Sequence, residues 1–321
     1  MDNIDRSNVR KPVDPPADRR LRVFRDATAI ITGGASGIGR ALAEELARRG
    51  CEVVLVDRQP DGVEQAAADI RRHGSGATAV AADVTDFDAL RRIVRQTHER
   101  TGRIDYMFNN AGINIFGNAA HYAIEDWRQL IDTNLMGVVN GVQSVYALMA
   151  EQGFGHIVNT ASMAGLVPFP GLVAYSASKH AVVGLSRSLR AEAASLGIRV
   201  SVLCPGFVRT AILKDVGIYG RRLYDLSPEQ ERWVEKAIKR CRPVSPGLFA
   251  RKALDRVARN KSVIVLPRGN RWFWRIHRLL PETHLYLGQK QYEKVDKMRF
   301  PESKMKGIPY HGHDMRESLN R

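Results

Sequence analysis

Short apolar runs alternate with segments of helical periodicity along most of this chain, from residue 27 to residue 266. The runs are rich in Val, Ile and Ala, which is typical of buried strands, and the segments between them repeat apolar residues every three or four positions. This alternation predicts an α/β fold, in which a doubly wound parallel sheet of the Rossmann type is covered by helices. The predicted strands are 27–32, 52–57, 78–82, 104–108, 156–160, 199–203 and 262–266.

A glycine-rich turn over 33–39 follows the first predicted strand and opens a predicted helix over 40–49. Glycine lets the backbone turn sharply, and it lets a pyrophosphate approach the unpaired N–H groups at the helix N-terminus. The spacing T-G-x-x-x-G-x-G is a variant of the usual dinucleotide fingerprint. The turn therefore predicts a dinucleotide site. Its predicted contacts are Gly33, Ala35, Ser36, Gly37, Ile38 and Gly39.

The second predicted strand ends in an acidic residue, Asp57, about twenty positions after the glycine turn. Its carboxylate would accept hydrogen bonds from the adenosine ribose of NAD and would repel the 2′-phosphate of NADP. Arg58 keeps the alternative open, because an arginine there could pair with that phosphate. Since the turn adds no second basic group, the sequence favours NAD, with NADP as the alternative.

Tyr175 and Lys179 stand four residues apart, so on a helix they project from the same face. A free phenol has a pKa of about 10, and a nearby ammonium in a dry cleft would lower it. Ser162 follows the predicted strand 156–160 and could donate a hydrogen bond to a substrate oxygen while Tyr175 exchanges its proton. The Y-x-x-x-K pattern alone is weak, but its position after a strand end favours a catalytic role.

The motifs, taken together, resemble those of the short-chain dehydrogenase/reductase family in its single-domain form, over about residues 26–268. The matching positions, in order, are T-G-G-A-S-G-I-G at 32–39, Asp57, D-V at 83–84, N-N-A-G at 109–112, Asn134, Ser162, Y-S-A-S-K at 175–179 and P-G-F-V-R-T at 205–210.

The resemblance implies a role for each matching position. Tyr175 would be the catalytic acid and base, Lys179 would hold the nicotinamide ribose and lower the tyrosine pKa, and Ser162 would orient the carbonyl or alcohol. Asn134 would support a water relay that leads protons out past Lys179. The family also implies a homodimer or homotetramer. The other cofactor contacts would be Asp83 and Val84 at the adenine, Asn109, Asn110, Ala111 and Gly112 on the adenosine-ribose side, Val208 and Thr210 at the nicotinamide, and Pro205 and Gly206.

The composition is that of a soluble globular protein, with 44% hydrophobic and 26% charged residues in 321. Cys51, Cys204 and Cys241 are widely spaced, which argues against a disulfide scaffold or a metal site, suits a reducing cytoplasm, and predicts three small buried residues. No apolar run reaches the roughly 18 residues of a membrane-spanning helix. The polar N-terminus predicts no signal peptide. The predicted organisation is a flexible tail over 1–24, a Rossmann-type catalytic domain over 25–268 and a basic C-terminal extension over 269–321.

A substrate lid is predicted at about 207–242, between the sixth strand and the last helix of the domain. Its apolar residues could line a lipophilic cleft or merely pack the lid onto the body, and no charged residue stands out as a partner for a charged substrate. The apolar residues near Ser162 are Met163, Leu166, Val167, Phe169 and Leu172, and those of the lid are Phe207, Val208, Ile212, Leu213, Val216, Ile218, Tyr219, Leu223 and Tyr224.

Most of the net charge of +15 lies in the C-terminal part of the chain: from Ala211 onward there are 25 Lys and Arg residues and 12 Asp and Glu residues, which supplies +13. Residues 271–280 form an amphipathic pattern in which three arginines lie beside an apolar arc that contains Trp272 and Phe273. Such a helix could lie at an anionic membrane surface, or its apolar arc could pack on the body or on a second subunit.

The sequence thus predicts an NAD-dependent oxidoreductase that transfers a hydride between the cofactor and a lipophilic secondary alcohol or ketone. The alternative enzyme is an NADPH-dependent ketoreductase, and a non-catalytic cofactor-binding regulator is a less favoured reading. Nucleic-acid binding ranks last, because the basic part has no zinc pattern or RNA-recognition signature.

Overall fold

A computed structural model describes residues 20–213, 219–223, 227–283, 285–286 and 288–290. Its strands are β1 (Thr28–Thr32), β2 (Glu52–Asp57), β3 (Ala77–Ala81), β4 (Tyr106–Asn109), β5 (Asn114–Phe116), β6 (Gly155–Thr160), β7 (Ile198–Pro205), β8 (Gly220–Arg222) and β9 (Val263–Leu266). Its helices are α1 (Gly37–Arg48), α2 (Pro60–Arg72), α3 (Phe87–Thr101), α4 (Ile124–Ile131), α5 (Gly137–Gln152), α6 (Val173–Ala193), α7 (Pro228–Arg240), α8 (Pro246–Ala258) and α9 (Arg268–Leu279).

Seven parallel strands form the central sheet in the order β3-β2-β1-β4-β6-β7-β9, which confirms the predicted doubly wound Rossmann fold. The order reverses between β1 and β4, where the chain returns from β3 to the other side of β1. In such sheets the ligand crevice opens at this switch point, beyond the carboxyl ends of the strands.

Each face of the sheet is covered by helices because successive strand residues point to opposite sides. In β1, Ala29 and Ile31 enter one buried cluster, which also holds the apolar faces of α1, α2 and α8. Ile30 enters the other, which holds those of α3, α5 and α6. Both faces of the sheet are therefore covered by helices, and a ligand would bind at the edge formed by the carboxyl ends of the strands.

The predicted elements agree closely with the observed ones: β2 has the predicted bounds, and the helix that carries Tyr175 is α6. A second, small parallel sheet of β5 and β8 was not predicted. It pairs three-residue segments that lie far apart in the sequence, and such short segments carry no periodicity of their own.

The two ends of the chain differ from the predicted boundaries. Phe24, placed in the predicted tail, is buried, and its ring centroid lies 5.3 Å from that of Tyr106. The packed domain therefore begins before residue 25, and the predicted tail residues 1–19 lie outside the described residues. At the other end α9 occupies the predicted amphipathic segment, whereas residues 291–321 lie outside the description. No helix in the described part of the chain is long and apolar enough to cross a membrane.

Candidate active site

A cavity of about 760 Å³ runs along the carboxyl ends of the strands and reaches under the segment predicted as a lid. Its wall brings together Ser162, Tyr175 and Lys179. The predicted cofactor contacts in the same wall are Gly33, Ser36, Gly37, Ile38, Asp57, Arg58, Asp83, Val84, Asn110, Ala111, Gly112, Pro205, Gly206, Val208 and Thr210.

Four predicted site residues do not line the cavity and support its wall from behind: Ala35, Gly39, Asn109 and Asn134. A Cβ atom added to Gly39 would lie 2.1 Å from the carbonyl oxygen of Gly33, so Gly39 is needed for close backbone packing inside the turn. The buried Asn109 side chain donates to the Asn159 side chain at 2.9 Å and so joins β4 to β6. That Ala35, Gly39 and Asn109 contact the cofactor, and that Asn134 supports a water relay, stay predictions.

The glycine-rich turn has the backbone shape that its sequence predicts. Gly33 and Gly37 adopt φ angles of +69° and +56°, a left-handed conformation that side-chain-bearing residues rarely take. The turn then enters α1 directly, so the unpaired N–H groups of its first turn face the cavity end. Thr210 lies against this turn, because a Cβ atom on Gly37 would be 3.3 Å from its methyl group.

Thr32 is a site residue that the sequence analysis missed. Its hydroxyl oxygen accepts the backbone N–H groups of Asn110 and Ala111, at 2.9 and 3.1 Å, and the Asn110 side chain donates to the Thr32 carbonyl at 3.1 Å. Thr32 ends β1 and Asn110 follows β4, so these bonds fix the two sides of the switch point. A threonine at the end of a strand gives no local signal of this role, because its partners come from a distant segment.

Asp57 ends β2 in the cavity wall, 8% exposed. Its two carboxylate oxygens accept the backbone N–H groups of Ala35 and Gln59, each at 3.1 Å. The carboxylate therefore anchors the glycine-rich turn as well as facing the cavity. Arg58 lines the cavity beside it.

Asn134 lies in a π-helical turn, Asp132–Met136, that joins α4 to α5. Its amide exchanges hydrogen bonds with the backbone of Ile113, accepting at 2.8 Å and donating at 3.0 Å, and it donates to the Ser178 hydroxyl at 3.2 Å. Such π-turns are frequent at functional sites. Asn134 therefore ties the loop after β4 to α6 within the same wall as Lys179.

Tyr175 and Ser162 lie together in the cavity wall. Ser162 is held in turn by its own backbone, because its hydroxyl accepts the N–H of Ala164 at 3.1 Å. Burial raises the pKa of Tyr175 above its ordinary value, and the nearby Ser162 side chain opposes this shift only in part. The phenol is thus protonated at neutral pH.

Lys179 lies on α6 one turn beyond Tyr175 and is 3% exposed. Its Nζ donates to the Thr160 carbonyl at 3.0 Å and lies 5.7 Å from the centre of the Tyr175 ring. Burial lowers the pKa of Lys179 to about 8. Burial disfavours the charged form of both groups, and the expectation that Lys179 lowers the tyrosine pKa stays a prediction.

The lid end of the cavity is mainly apolar, but two findings correct the sequence analysis. Arg222, a basic residue, lines the cavity and lies 3.8 Å from Glu231. Cys241, predicted to be buried, is exposed and also lines the cavity, whereas Cys51 and Cys204 are buried as predicted.

Of the apolar residues predicted for this end, Met163, Phe169 and Leu172 line the cavity beside Ser162. The predicted cleft residues Leu166 and Val167 instead pack in the core cluster beneath α6. The lid residues in the cavity wall are Phe207, Val208, Ile212, Leu213 and Tyr219. Leu223 packs the lid onto the body, and Val216, Ile218 and Tyr224 lie outside the described residues.

With this geometry established, comparison with known proteins decides the family. The sequence profile of short chain dehydrogenases matches residues 27–218, more than half of the chain. This chain belongs to the short-chain dehydrogenase/reductase family.

Several members of the short-chain dehydrogenase/reductase family are similar over most of the domain. Oxidoreductase UcpA of Salmonella typhimurium is 41% identical over 190 residues, which cover 59% of this chain and 72% of that protein. Levodione reductase of Leifsonia aquatica is 37% identical over 212 residues, 65% of this chain and 77% of that protein. A family member from Burkholderia phymatum, solved in complex with NAD, has a TM-score of 0.73 at 29% identity and covers 82% of this chain and 96% of its own.

The cavity of this short-chain dehydrogenase fits a nicotinamide dinucleotide. At one end are the left-handed glycines and the Asp57 carboxylate, and at the other is the Lys179 ammonium. Two polar atoms in the wall, the Thr160 hydroxyl and the Asn114 side-chain oxygen, are buried without a hydrogen-bond partner among the described residues. Since buried polar groups are nearly always paired, these atoms are suited to a bound polar molecule.

Proposed function

We propose that this chain is an NAD-dependent oxidoreductase that transfers a hydride between the cofactor and a lipophilic secondary alcohol or ketone. The observation that carries the proposal is that Ser162, Tyr175 and Lys179 line one cavity, with Nζ of Lys179 5.7 Å from the centre of the Tyr175 ring. A surface tyrosine and lysine would have neither the burial nor the serine.

A bound nicotinamide supplies or accepts the hydride. In ketone reduction the Tyr175 O–H donates its proton to the carbonyl oxygen, while the Ser162 hydroxyl donates a hydrogen bond to the same oxygen as negative charge develops on it. In alcohol oxidation the Tyr175 oxygen takes the hydroxyl proton. Because its raised pKa keeps the half-buried phenol of Tyr175 protonated at neutral pH, the phenol is ready to act as the acid of the reductive direction.

Asp57 supports the preference for NAD. Its carboxylate is held in place by two backbone N–H groups, so it cannot swing away from an incoming 2′-phosphate without breaking both bonds. Arg58 favours the second candidate, an NADPH-dependent ketoreductase, because it lines the cavity next to Asp57. The fixed position of Asp57 leads us to place NAD first.

The apolar wall supports a lipophilic substrate. Met163, Phe169 and Leu172 flank Ser162 on one side, and Phe207 and Leu213 extend the wall through the lid. Glu231 lies near Arg222 and offsets its charge, so the apolar residues decide the substrate class. Similarity to a levodione reductase supports a carbonyl substrate.

We also propose that the enzyme acts in the cytoplasm as a homodimer or homotetramer. The three cysteines are free, which suits a reducing compartment. Light scattering of the purified full chain measures the subunit number, and a monomer at working concentration would contradict the proposal.

A screen of ketones and secondary alcohols with NADH, NADPH and their oxidised forms tests the proposed function. The absorbance of the reduced nicotinamide follows turnover in either direction. We expect apolar cyclic or aliphatic ketones to be reduced with NADH at rates well above those of keto acids or sugar phosphates. Activity restricted to charged substrates, or no activity with any member of the panel, would contradict it.

A further inference from the structure

Helix α9 attaches to the domain by the face opposite its apolar arc. Asn270, Trp274 and His277 are half-buried, and Trp274 packs against the core cluster that lies on the α3, α5 and α6 side of the sheet. On the other side, Trp272, Ile276 and Leu279 are 66%, 53% and 79% exposed. These three side chains of the apolar arc therefore point away from the body, and packing onto this domain does not explain them.

Four arginines line a pocket of about 210 Å³ beside this arc, and Val265 and Trp272 complete its wall; the arginines are Arg256, Arg268, Arg271 and Arg275. Within the described part of the chain, no ion pair joins any of the four to an acidic residue. The Arg275 guanidinium lies 5.1 Å from the centre of the Trp272 ring, which orients it along the same wall. A guanidinium group can donate two parallel hydrogen bonds to two oxygens of one phosphate. This cluster therefore has the chemistry of a phosphate site.

We propose that the exposed face of α9 docks on an anionic lipid bilayer. In this arrangement Trp272, Ile276 and Leu279 enter the headgroup and acyl boundary, and the arginine pocket holds lipid phosphates. Basic residues beside an apolar arc are the pattern of an interfacial helix. A second copy of the chain is a poorer occupant, because two such faces brought together would oppose their arginine clusters.

Docking through this face would bring the active-site cavity close to the lipid. Asn270 and Phe273, on the same helix, also line the cavity that contains Tyr175. A lipophilic substrate dissolved in the bilayer could then enter without crossing water. This step rests on the proposed oxidoreductase function, whereas the docking itself does not.

Co-sedimentation of the full chain with vesicles tests the docking. We expect binding to phosphatidylcholine vesicles that contain phosphatidylglycerol, little binding to pure phosphatidylcholine vesicles, and release by added salt. The double variant Arg271→Gln/Arg275→Gln should bind about tenfold more weakly or worse, since each basic residue near an anionic surface contributes measurably. The double variant Ile276→Ser/Leu279→Ser should also lose vesicle binding, because it removes two apolar side chains that would enter the bilayer.

Matched controls separate these effects from general changes in charge or surface. The double variant Arg91→Gln/Arg92→Gln removes two exposed arginines from α3. Leu196→Ser removes an exposed leucine that does not belong to α9. Both control proteins should bind vesicles like the parent. Tyr175→Phe should also bind vesicles like the parent. Failure of the catalytic proposal can therefore be distinguished from failure of the membrane-docking proposal. Absence of binding at low salt, unchanged binding of the α9 variants, or a dimer that requires Ile276 and Leu279 would overturn the proposal.

Discussion

The buried ammonium of Lys179 donates a hydrogen bond to the Thr160 carbonyl, with 3.0 Å between Nζ and O. No carboxylate among the described residues pairs with it, and burial holds its pKa at about 8. A charge in this position costs folding free energy, because an ammonium loses its hydration inside the domain. The burial of Lys179 therefore lowers the stability of the fold, and we attribute the residue to the proposed active site.

Replacing Lys179 by methionine should stabilise the fold. The folded-state pKa lies below the unfolded value of about 10.4, so between these values the unfolded chain binds more protons and the parent becomes more stable as pH rises. At neutral pH the variant should therefore gain up to about 3 kcal/mol, less the lost hydrogen bond. Thermal melts at neutral pH and near pH 10 measure the gain, which should shrink at the higher pH. Lys252→Met, at an exposed position of α8, is the control. A lower melting temperature for Lys179→Met at neutral pH would contradict this account.

His156 should make the protein sensitive to acid. It is fully buried between β4 and β7, its Nε2 lies 2.8 Å from the Ser201 hydroxyl, and burial with nearby Arg199 and Arg190 lowers its pKa to about 3. Below the unfolded-state pKa of about 6.5, the histidine is protonated in the unfolded chain but stays neutral in the folded chain. The free energy of unfolding therefore decreases as the pH is lowered. Urea unfolding at about pH 5 should show a loss of about 2 kcal/mol relative to neutral pH from this residue. His156→Gln should reduce that loss, while His73→Gln, at an exposed position, should not. Equal acid sensitivity of His156→Gln and the parent would rule out this assignment.

The sequence predicted the sheet, most of its strands and the residues at their carboxyl ends, because each depends on a local pattern. Strand β2 shows this well, since its apolar run and its terminal Asp57 lie in one segment. The role of Thr32 could not be predicted, because its partners Asn110 and Ala111 come from another strand. The pairing of β5 with β8 also depends on contacts between distant segments.

The chemistry of the site was predicted less completely than its location. Tyr175 and Lys179 share one helical face, as their spacing requires, but the direction of the tyrosine pKa shift depends on burial, which a spacing does not report. The presence of Arg222 and Cys241 in the cavity wall likewise depends on contacts between segments that lie far apart in the sequence.

Thr32→Val should weaken dinucleotide binding while keeping side-chain volume. The substitution leaves the backbone N–H groups of Asn110 and Ala111 without their acceptor, which costs about 1–3 kcal/mol in a buried setting. We expect a lower melting temperature and a weaker dissociation constant for NADH by fluorescence titration. Thr97→Val, at another buried threonine on α3, shows the effect of hydroxyl loss away from the cavity. A Thr32→Val protein that binds NADH as tightly as the parent would show that the loop after β4 does not need this anchor.

Asp57→Asn should shift cofactor preference toward NADPH. The asparagine keeps one side-chain acceptor and removes the negative charge, so repulsion of the 2′-phosphate falls while Arg58 remains. Titration of NADH and NADPH gives the ratio of the two dissociation constants, which should move by about tenfold for a change of 1.4 kcal/mol. Asp61→Asn, an exposed change in the first turn of α2, should leave the ratio unchanged. Tighter binding of NADPH than NADH by the parent would reverse the assignment of the cofactor.

Turnover by Tyr175→Phe tests the catalytic assignment most directly. The substitution removes only the phenolic oxygen, so the fold and NADH binding should persist while ketone reduction falls by at least about 10²-fold, the lower range for loss of a general acid. Tyr219→Phe is the matched control, because Tyr219 lines the same cavity and its hydroxyl accepts the Gln59 side chain at 3.2 Å. We expect Tyr175→Phe to bind NADH without turning over the ketone, and Tyr219→Phe to retain turnover. Substantial activity in Tyr175→Phe, on a ketone that the parent reduces, would contradict it.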